Sequence, residues 1–215
     1  MAILATNIGT AAVLDVETTG FSPRSDEIIE LGLALFRYDR VSGRVLETVS
    51  NYSGLRQPSR SIPRHASAVH GITWRVVKGH RLDCGRIRSM LRQADFVVAH
   101  CAAFDHDFVV RLMPSFRRAT WLCSRDGIDW WAKGFSSRSL EVLAAAHHIQ
   151  NPAPHRAAGD AMTLLKLLSC HGSRHKAYLY ELLIRNGLAL LRGRGKFCSQ
   201  EFSVETAPSC DSRRR

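Results

Sequence analysis

The stretch from Val13 to Gly20 reads VLDVETTG and decides how the rest of the chain is interpreted. Asp15 and Glu17 stand two apart at the end of an apolar run that is typical of a buried β-strand. Side chains at positions i and i+2 of a strand point to the same face, so the two carboxylates project side by side. Two anions held this close to a core repel each other and lose hydration. The pair is either solvated at a strand end or compensated by a cation, for which Mg²⁺ or Mn²⁺ is the simplest choice.

The composition describes a basic chain of otherwise ordinary globular character. The 215 residues are 45% hydrophobic, enough for one sizeable core and an appendage. Thirty Lys and Arg against 19 Asp and Glu give a formal net charge of +11. This balance favours a polyanionic partner, most simply a nucleic acid, with a generically basic surface as the alternative.

The cysteines and the hydropathy bear on the compartment. Six cysteines are scattered along the chain with no Cys-x-x-Cys pair, so neither a zinc site nor a disulfide framework is indicated. This usage fits a reducing compartment, and we expect a cytoplasmic protein. No stretch approaches about 18 uninterrupted apolar residues, so we expect no membrane span and no membrane partner.

Periodicity along the chain predicts an α/β domain over residues 8–172. Apolar and β-branched runs predict strands at about 10–17, 27–38, 43–52, 96–100 and 119–123. Helical spacing predicts helices at about 65–73, 83–94, 102–113, 139–148 and 155–168. Strands interleaved with helices in this order indicate a mixed five-stranded sheet flanked by helices.

Residues 173–215 form a basic C-terminal extension of different character. They hold nine Lys and Arg against four Asp and Glu, a net charge of +5 over 43 residues. We predict one helix at about 175–187 and then a disordered end that adds salt-sensitive affinity for nucleic acid. The segment 200–204 (QEFSV) also bears a faint similarity to a sliding-clamp-binding peptide, which is a second interpretation of this region.

Two later segments supply further acidic and histidine side chains. His100-x-x-x-Phe104-Asp105 leads from the fourth strand into the next helix. His155 and Asp160 stand five apart near the start of the last helix of the domain, with His155 either at its first position or still in the preceding loop. With the opening pair this makes four carboxylates that can meet at one rim, and four anions together require cations. Two divalent metals about 4 Å apart, holding the attacking and leaving oxygens of a phosphodiester, are the known use of such a cluster.

The order of these motifs resembles the DnaQ-like (DEDDh) family of 3′→5′ exonucleases, which includes the proofreading epsilon subunits of bacterial DNA polymerase III. The motifs that carry the resemblance are Asp15-x-Glu17-Thr-x-Gly20, His100-x-x-x-Phe104-Asp105 and His155-x-x-x-x-Asp160. The His-Gly-Ile sequence at 70–72 and the Ser-Leu-x-x-Leu sequence at 139–143 agree with it. The resemblance covers about residues 10–170 and implies a ribonuclease H-like fold.

The resemblance also implies a two-metal site that uses Mg²⁺ or Mn²⁺. Asp15, Glu17 and Asp160 would bind one metal ion. Asp15 would bridge to the second ion, and Asp105 would complete the site. His155 would be the general base that takes a proton from the attacking water, a task that suits imidazole because its ordinary pKa lies near neutrality.

The substrate contacts implied by the resemblance lie around these ligands. They are Thr18, Thr19, Gly20, His70, His100 and Phe104. Residues 18–20 would form a lip at the 3′ end, and Phe104 would stack against the terminal base. A structural role is the alternative for His70. Cys101 stands where many family members have Asn, which puts the contacts to the terminal nucleotide in doubt but not the metal ligands.

We therefore predict a metal-dependent 3′→5′ exonuclease that releases nucleoside 5′-monophosphates from the 3′ ends of DNA in proofreading or repair. It would act alone or with a DNA polymerase catalytic subunit. An exoribonuclease that acts on RNA 3′ ends is one alternative, and a non-catalytic nucleic-acid-binding module is another. The motifs do not separate DNA from RNA, because that choice depends on contacts to the 2′-hydroxyl group.

Overall fold

A computed structural model describes residues 7–172 and 176–189 of the chain. The clamp-like segment 200–204 and the end of the basic extension lie outside the described residues. Within the described part, no helix combines the length and the apolar character needed to cross a bilayer.

Five strands form one mixed sheet in the order β3-β2-β1-β4-β5. The strands are β1 (Ile8–Thr18), β2 (Ile28–Asp39), β3 (Val45–Leu55), β4 (Val97–Ala99) and β5 (Trp121–Cys123). The first three strands pair antiparallel, whereas β4 runs parallel to β1 and β5 runs parallel to β4. The predicted mixed five-stranded sheet is confirmed. Because β1, β4 and β5 are parallel, their carboxyl ends meet at one edge of the sheet, and β1 ends there at Thr18.

Eight α-helices and one 3₁₀ turn accompany the sheet within the described residues. They are α1 (Arg64–His70), α2 (Trp74–Val77), α3 (Cys84–Leu91), α4 (Ala102–Leu112), the turn Pro114–Phe116, α5 (Ser124–Gly127), α6 (Leu140–Ala146), α7 (Ala157–Ser169) and α8 (Tyr178–Arg185). Gly71 ends α1 in the left-handed conformation at φ 69°, as its position after the apolar run predicted. Ser139 caps α6 by accepting a hydrogen bond from the Val142 amide. The single-turn helices α2 and α5 are too short to produce the apolar periodicity from which the other helices were predicted.

The two faces of β1 are buried against different helices. Odd-numbered Ala11 and Val13 lie in a core with apolar residues of α7 such as Leu164. Even-numbered Ala12 and Leu14 lie in a second core with residues of α3 and α4. Burial on both faces explains why β1 reads as a continuous apolar run rather than an alternating one. It also places Asp15 and Glu17, which continue the odd-numbered series, on the α7 side of the sheet.

The helix of the basic extension packs into the first core. In α8, the buried residues Tyr178, Leu179, Leu182 and Leu183 join the same cluster as Trp130. Trp130 is fully buried, and its indole N–H donates to the Ser124 carbonyl at 2.9 Å. The next residue, Trp131, is 56% exposed.

The start of α7 differs from the prediction. The expected helix at 155–168 begins at Ala157, because Arg156 is extended at φ −127° and ψ 122°. His155 has a left-handed φ of 56°, which no α-helix can include. The predicted helix therefore starts two residues too early. His155 lies in the loop that enters the helix, which is one of the two positions that the sequence left open for it.

Candidate active site

The end of β1 and the first turn of α7 bring three carboxylates together. Asp15, Glu17 and Asp160 each offer an oxygen atom, and these oxygens all lie within 4.8 Å of one another. Asp15 and Glu17 reach the site because they share a face of the strand, and Asp160 reaches it because α7 packs on that face. The predicted pairing of the opening motif with Asp160 is thus present in the structure.

Asp105 approaches the same edge from the other side of the sheet. It lies in the first turn of α4, directly after β4, and is 3% exposed. Its Oδ1 accepts a hydrogen bond from the Val16 amide at 3.2 Å, between the two acidic residues of β1. Asp105 lies outside the three-oxygen group, but its charge acts on that group. After burial, the repulsion from Asp105 is the largest cause of the raised pKa of Asp15.

The cluster holds its protons strongly. Burial, followed by the neighbouring carboxylates, raises the pKa of Glu17 to about 8. Burial also raises the pKa of Asp105 to about 8, although hydrogen bonds from the Val16 amide and from its own amide oppose this. The pKa of Asp15 is raised first by burial, because protein surrounds its carboxylate on most sides, and then by four neighbouring carboxylates. The protein alone therefore does not compensate the negative charge that these groups would carry when ionised.

A divalent cation fits this site. The donor set consists of carboxylate oxygens, which are the ligands that Mg²⁺ and Mn²⁺ prefer. The raised pKa values of Asp15, Glu17 and Asp160 identify a place where a positive charge is missing. The residues that would hold the cation are these three, with Asp105 beside them.

His155 and Asn151 lie in the loop that precedes α7, and both act on Asp160. The backbone N–H of His155 hydrogen-bonds to the Asp160 carboxylate and lowers the pKa that burial raises. Asn151 Nδ2 donates to Asp160 Oδ1 at 2.6 Å. Asn151 also accepts from the Ala153 amide at 3.1 Å, which closes the loop on itself. The half-buried His155 is therefore anchored through its backbone to a member of the acidic group, while Asn151, which was not predicted as a site residue, orients that member.

A fifth carboxylate lies beside the cluster and was not predicted. Glu30 of β2 is directly opposite Glu17 in the strand register and is 2% exposed. It pairs with Arg156 at 2.6 Å between Oε1 and Nη2. The two residues are 126 positions apart, and no spacing in the sequence connects them.

The lip after β1 is held by internal hydrogen bonds. Thr18 Oγ1 donates to the Gly20 carbonyl at 2.6 Å, and Thr19 Oγ1 donates to Asp26 Oδ1 at 3.1 Å. The Asp26 carboxylate also accepts a hydrogen bond from the Ser22 amide. A Cβ atom on Gly20 would lie 2.6 Å from Asp26 Oδ2. The predicted lip therefore exists as a rigid turn, but its threonine hydroxyls already have partners within the protein.

An aromatic surface continues from this lip. Phe21 follows Gly20 and is 73% exposed. Its ring centroid lies 6.4 Å from that of Phe104, which in turn lies 4.9 Å from that of buried Phe108. The prediction named Phe104 alone. Phe21 could have been noticed as a large apolar residue directly after a glycine turn, but exposure of its ring is a property of the fold.

The two predicted substrate histidines occupy different environments. His100 Nε2 is bound to the Arg138 carbonyl and Nδ1 to Ser124 Oγ, both at 2.8 Å. Burial lowers the pKa of His100 to about 4, so this imidazole is neutral and donates from Nε2. Both nitrogens have partners within the protein, which tie the residue after β4 to α5 and to Arg138. That His100 contacts substrate stays a prediction.

His70 is also buried, but its two ring nitrogens differ in their hydrogen bonding. Its Nδ1 accepts from the Ile72 amide at 3.0 Å, which places the proton of the neutral ring on Nε2. Among the described residues, Nε2 forms no hydrogen bond of ordinary geometry. Burial lowers the pKa of His70, and the Thr18 backbone acts in the opposite direction. His70 thus makes a structural hydrogen bond at the Gly71 turn, and its buried Nε2 interacts with the Thr18 backbone at the start of the lip.

Comparison with known proteins places this geometry in a family. A family model described as Exonuclease matches residues 12–168, a range that contains all the acidic residues of the site. The chain belongs to the exonuclease family. The resemblance to DnaQ-like exonucleases drawn from the motifs is thereby confirmed.

Relatives of this exonuclease-family chain include proteins named for DNA polymerase III. A DNA polymerase III PolC-type protein of Thermotoga petrophila is 34% identical over 123 residues, which are 56% of this chain and 8% of that protein. The DNA polymerase III subunit epsilon of Treponema pallidum is 27% identical over 171 residues, 75% of each chain. This chain thus spans a small part of the PolC-type relative and three quarters of the epsilon relative.

A solved structure shares the fold. E. coli Exonuclease I in complex with a dT13 oligonucleotide has a TM-score of 0.60 at 18% identity, over 75% of this chain and 40% of that chain. The likeness confirms the predicted ribonuclease H-like fold of this exonuclease-family chain.

Proposed function

We propose that this chain is a divalent-metal-dependent 3′→5′ exonuclease that removes nucleoside 5′-monophosphates from single-stranded or frayed DNA 3′ ends. The observation that carries the proposal is the group of Asp15, Glu17 and Asp160 oxygens within 4.8 Å of one another in a chain of the exonuclease family. Asp105 and His155 border this group from the two sides of the sheet.

The protein residues divide the proposed reaction between them. Two Mg²⁺ or Mn²⁺ ions, when bound, would lower the pKa of the attacking water and stabilise charge on the leaving oxygen. Asp15, Glu17, Asp105 and Asp160 are the proposed ligands. His155 is the proposed general base, since its backbone is tied to Asp160 and imidazole accepts a proton near neutral pH.

The aromatic surface and the basic charge support binding of a nucleic-acid end. Phe21 and Phe104 present ring surface beside the lip, and ring stacking accepts any base. His70, which lies against the Thr18 backbone at the start of the lip, is a proposed contact to the terminal nucleotide. The net charge of +11 adds affinity that does not depend on sequence and weakens with salt.

The biological setting is proposed from the relatives. Proteins named DNA polymerase III PolC-type and subunit epsilon match this chain, which supports a role in proofreading or repair. A DNA polymerase catalytic subunit is the proposed partner, and the cytoplasm is the proposed compartment. Co-purification from the native cell tests the partner, because a polymerase subunit should be recovered with the chain.

A single-stranded oligonucleotide labelled at one end tests the direction of hydrolysis. With Mg²⁺, a 5′-labelled strand should shorten progressively from full length, and a 3′-labelled strand should release labelled 5′-mononucleotide at once. EDTA should stop both reactions. Release of mononucleotide from the 5′ label, or internal cuts, would contradict the proposal.

A matched RNA oligonucleotide tests the substrate class. Faster hydrolysis of DNA than of RNA supports the proposal, whereas the reverse identifies an exoribonuclease. Asp105→Asn should abolish hydrolysis of both, while Asp107→Asn is the matched control. Asp107 lies two residues along the same helix but is exposed, with its side chain 60% accessible. Equal loss of activity in both variants would point to damage to α4 rather than to the site.

A further inference from the structure

A buried acidic side chain next to the candidate site has no part in the proposed reaction. Glu30 faces the same side of the sheet as Glu17, its partner in the register of β1 and β2. Its side chain is 2% exposed. A buried carboxylate is costly unless it is paired and hydrogen-bonded, so its partners show what it does in the fold.

The partners of Glu30 belong to the start of α7. Arg156 donates from Nη2 to Oε1 at 2.6 Å and from Nε to Oε2 at 3.0 Å, a two-pronged pairing. The Ala157 amide donates to the same Oε2 at 3.0 Å. That amide is the first of the helix N–H groups without an intrahelical partner, and no side-chain cap from Arg156 satisfies it. Glu30 therefore caps α7 from the neighbouring strand.

Gly32, two residues after Glu30 in β2, allows α7 to pack closely on the strand. Gly32 is the register partner of Asp15, so it lies beside the first metal-ligand candidate. A Cβ atom at Gly32 would lie 2.3 Å from backbone atoms of Ala157 and Ala158, far inside contact distance. The first turn of α7 thus rests directly on the β2 backbone, and Glu30 fixes its rotation.

Both functional residues at this helix end depend on the same backbone. His155 directly precedes Arg156 and has the left-handed φ of 56°. The Asp160 amide donates to the Arg156 carbonyl at 2.9 Å. A left-handed non-glycine residue is strained and persists only when the surrounding contacts impose it. The pairing of Arg156 with Glu30 supplies such a contact.

We propose that Glu30 and Arg156 are positioning residues that hold His155 and Asp160 against the carboxylates of β1. This inference rests on the proposed function, but Mn²⁺ binding tests it independently of hydrolysis. Two other roles are possible for the pair: a purely electrostatic effect on the cluster, and a contribution to folding alone.

Arg156→Met separates positioning from electrostatics. The substitution removes a positive charge beside the carboxylates, so a purely electrostatic role would make Mn²⁺ bind more tightly. If the pair positions Asp160, Mn²⁺ should instead bind about 10–100-fold more weakly, the usual effect of losing a partner that orients a ligand. Glu30→Gln should weaken Mn²⁺ binding to a similar extent, because one amide oxygen cannot accept both prongs of the guanidinium.

The double variant Glu30→Met/Arg156→Met separates positioning from folding. Replacing both members of a buried ion pair by apolar residues is often neutral for stability, whereas removing one member is not. We expect the melting temperature to return toward that of wild type while Mn²⁺ affinity and kcat stay low. Glu181→Gln is the control, since Glu181 of α8 also forms a partly buried ion pair, with Lys133 at 2.7 Å. It should change stability without changing Mn²⁺ affinity.

Calorimetric Mn²⁺ titration, thermal melting and steady-state hydrolysis are measured on each purified full-length variant. The inference is supported if Arg156→Met weakens Mn²⁺ binding and lowers kcat with KM within about twofold. It is overturned if Arg156→Met binds Mn²⁺ as tightly as wild type or more tightly, or if only KM changes, which would make Arg156 a substrate contact. Wild-type protein that binds Mn²⁺ without degrading DNA would refute the proposed function, while the Mn²⁺ comparison would still decide the role of this pair.

Discussion

Raising the pH of the metal-free protein from 5 to 8 should lower its stability, and Glu17 should account for much of the loss. The pKa of Glu17 is raised from 4.5 to about 8 in the folded protein by burial and by neighbouring carboxylates. Between these two pH values the folded protein keeps a proton that the unfolded chain has released. The contribution of Glu17 to stability is therefore fully present below about pH 4.5 and is lost as the pH rises toward 8.

The size of the effect follows from this shift. Each proton of difference between the two states changes the free energy of unfolding by about 1.4 kcal/mol per pH unit. Integrated from pH 5 to pH 8, Glu17 alone gives a loss of roughly 3 kcal/mol, or a fall in melting temperature of roughly 6–12 °C for a chain of this size. Asp105 acts in the same direction, because its pKa is also raised to about 8.

Thermal melting of EDTA-treated protein at several pH values measures this slope. Glu17→Gln should reduce the pH dependence of stability by the equivalent of about one proton. Glu47 is an exposed carboxylate of β3, and Glu47→Gln should leave the pH dependence unchanged. Saturating Mn²⁺ should remove most of the slope from wild-type protein, because bound metal favours the ionised carboxylates. Equal slopes for wild type and Glu17→Gln would refute the claim that Glu17 is held in its protonated form.

Three further substitutions test other parts of the site. His155→Ala should lower kcat by about 10²–10⁴-fold while oligonucleotide binding, measured by fluorescence anisotropy, is retained; an unchanged kcat would remove His155 from the reaction. Phe21→Ala should weaken binding of single-stranded 3′ ends by about 1–3 kcal/mol, the usual worth of one stacked base, with Trp131→Ala as an exposed aromatic control. Gly32→Ala should lower the free energy of unfolding by about 1–3 kcal/mol in urea titrations, because its Cβ would force α7 away from β2.

Local patterns predicted most of the fold correctly because each element depends on nearby residues. The five strands follow from β-branched apolar runs, and the ends of α1 and α6 follow from Gly71 and Ser139. The start of α7 was predicted wrongly, because apolar spacing does not show that Arg156 is held extended by a glutamate on another strand.

The acidic group could be predicted, whereas its surroundings could not. The alternation in β1 puts Asp15 and Glu17 on one face, and Asp160 was found near the start of a predicted helix. The resemblance then implied that these three residues bind one metal ion. The role of Glu30 depends on contacts with a segment 127 positions away, and that of Asn151 depends on the shape of the loop before α7; spacing encodes neither. The surroundings of His100 could not be predicted either, since both its hydrogen-bond partners come from segments more than 20 residues away.

The most direct test of the account is Mg²⁺-dependent hydrolysis of a 5′-labelled DNA oligonucleotide by Asp15→Asn, compared with wild type and with Asp129→Asn. Asp15 is the residue whose pKa four other carboxylates raise, whereas Asp129 is exposed and accepts a local hydrogen bond from the Ala132 amide. The account predicts that Asp15→Asn melts at or above the wild-type temperature in EDTA, because Asn is neutral without having to take up a proton on folding, and that it releases no nucleotide. Wild-type rates of hydrolysis in folded Asp15→Asn would contradict the assignment of the carboxylate cluster as the active site.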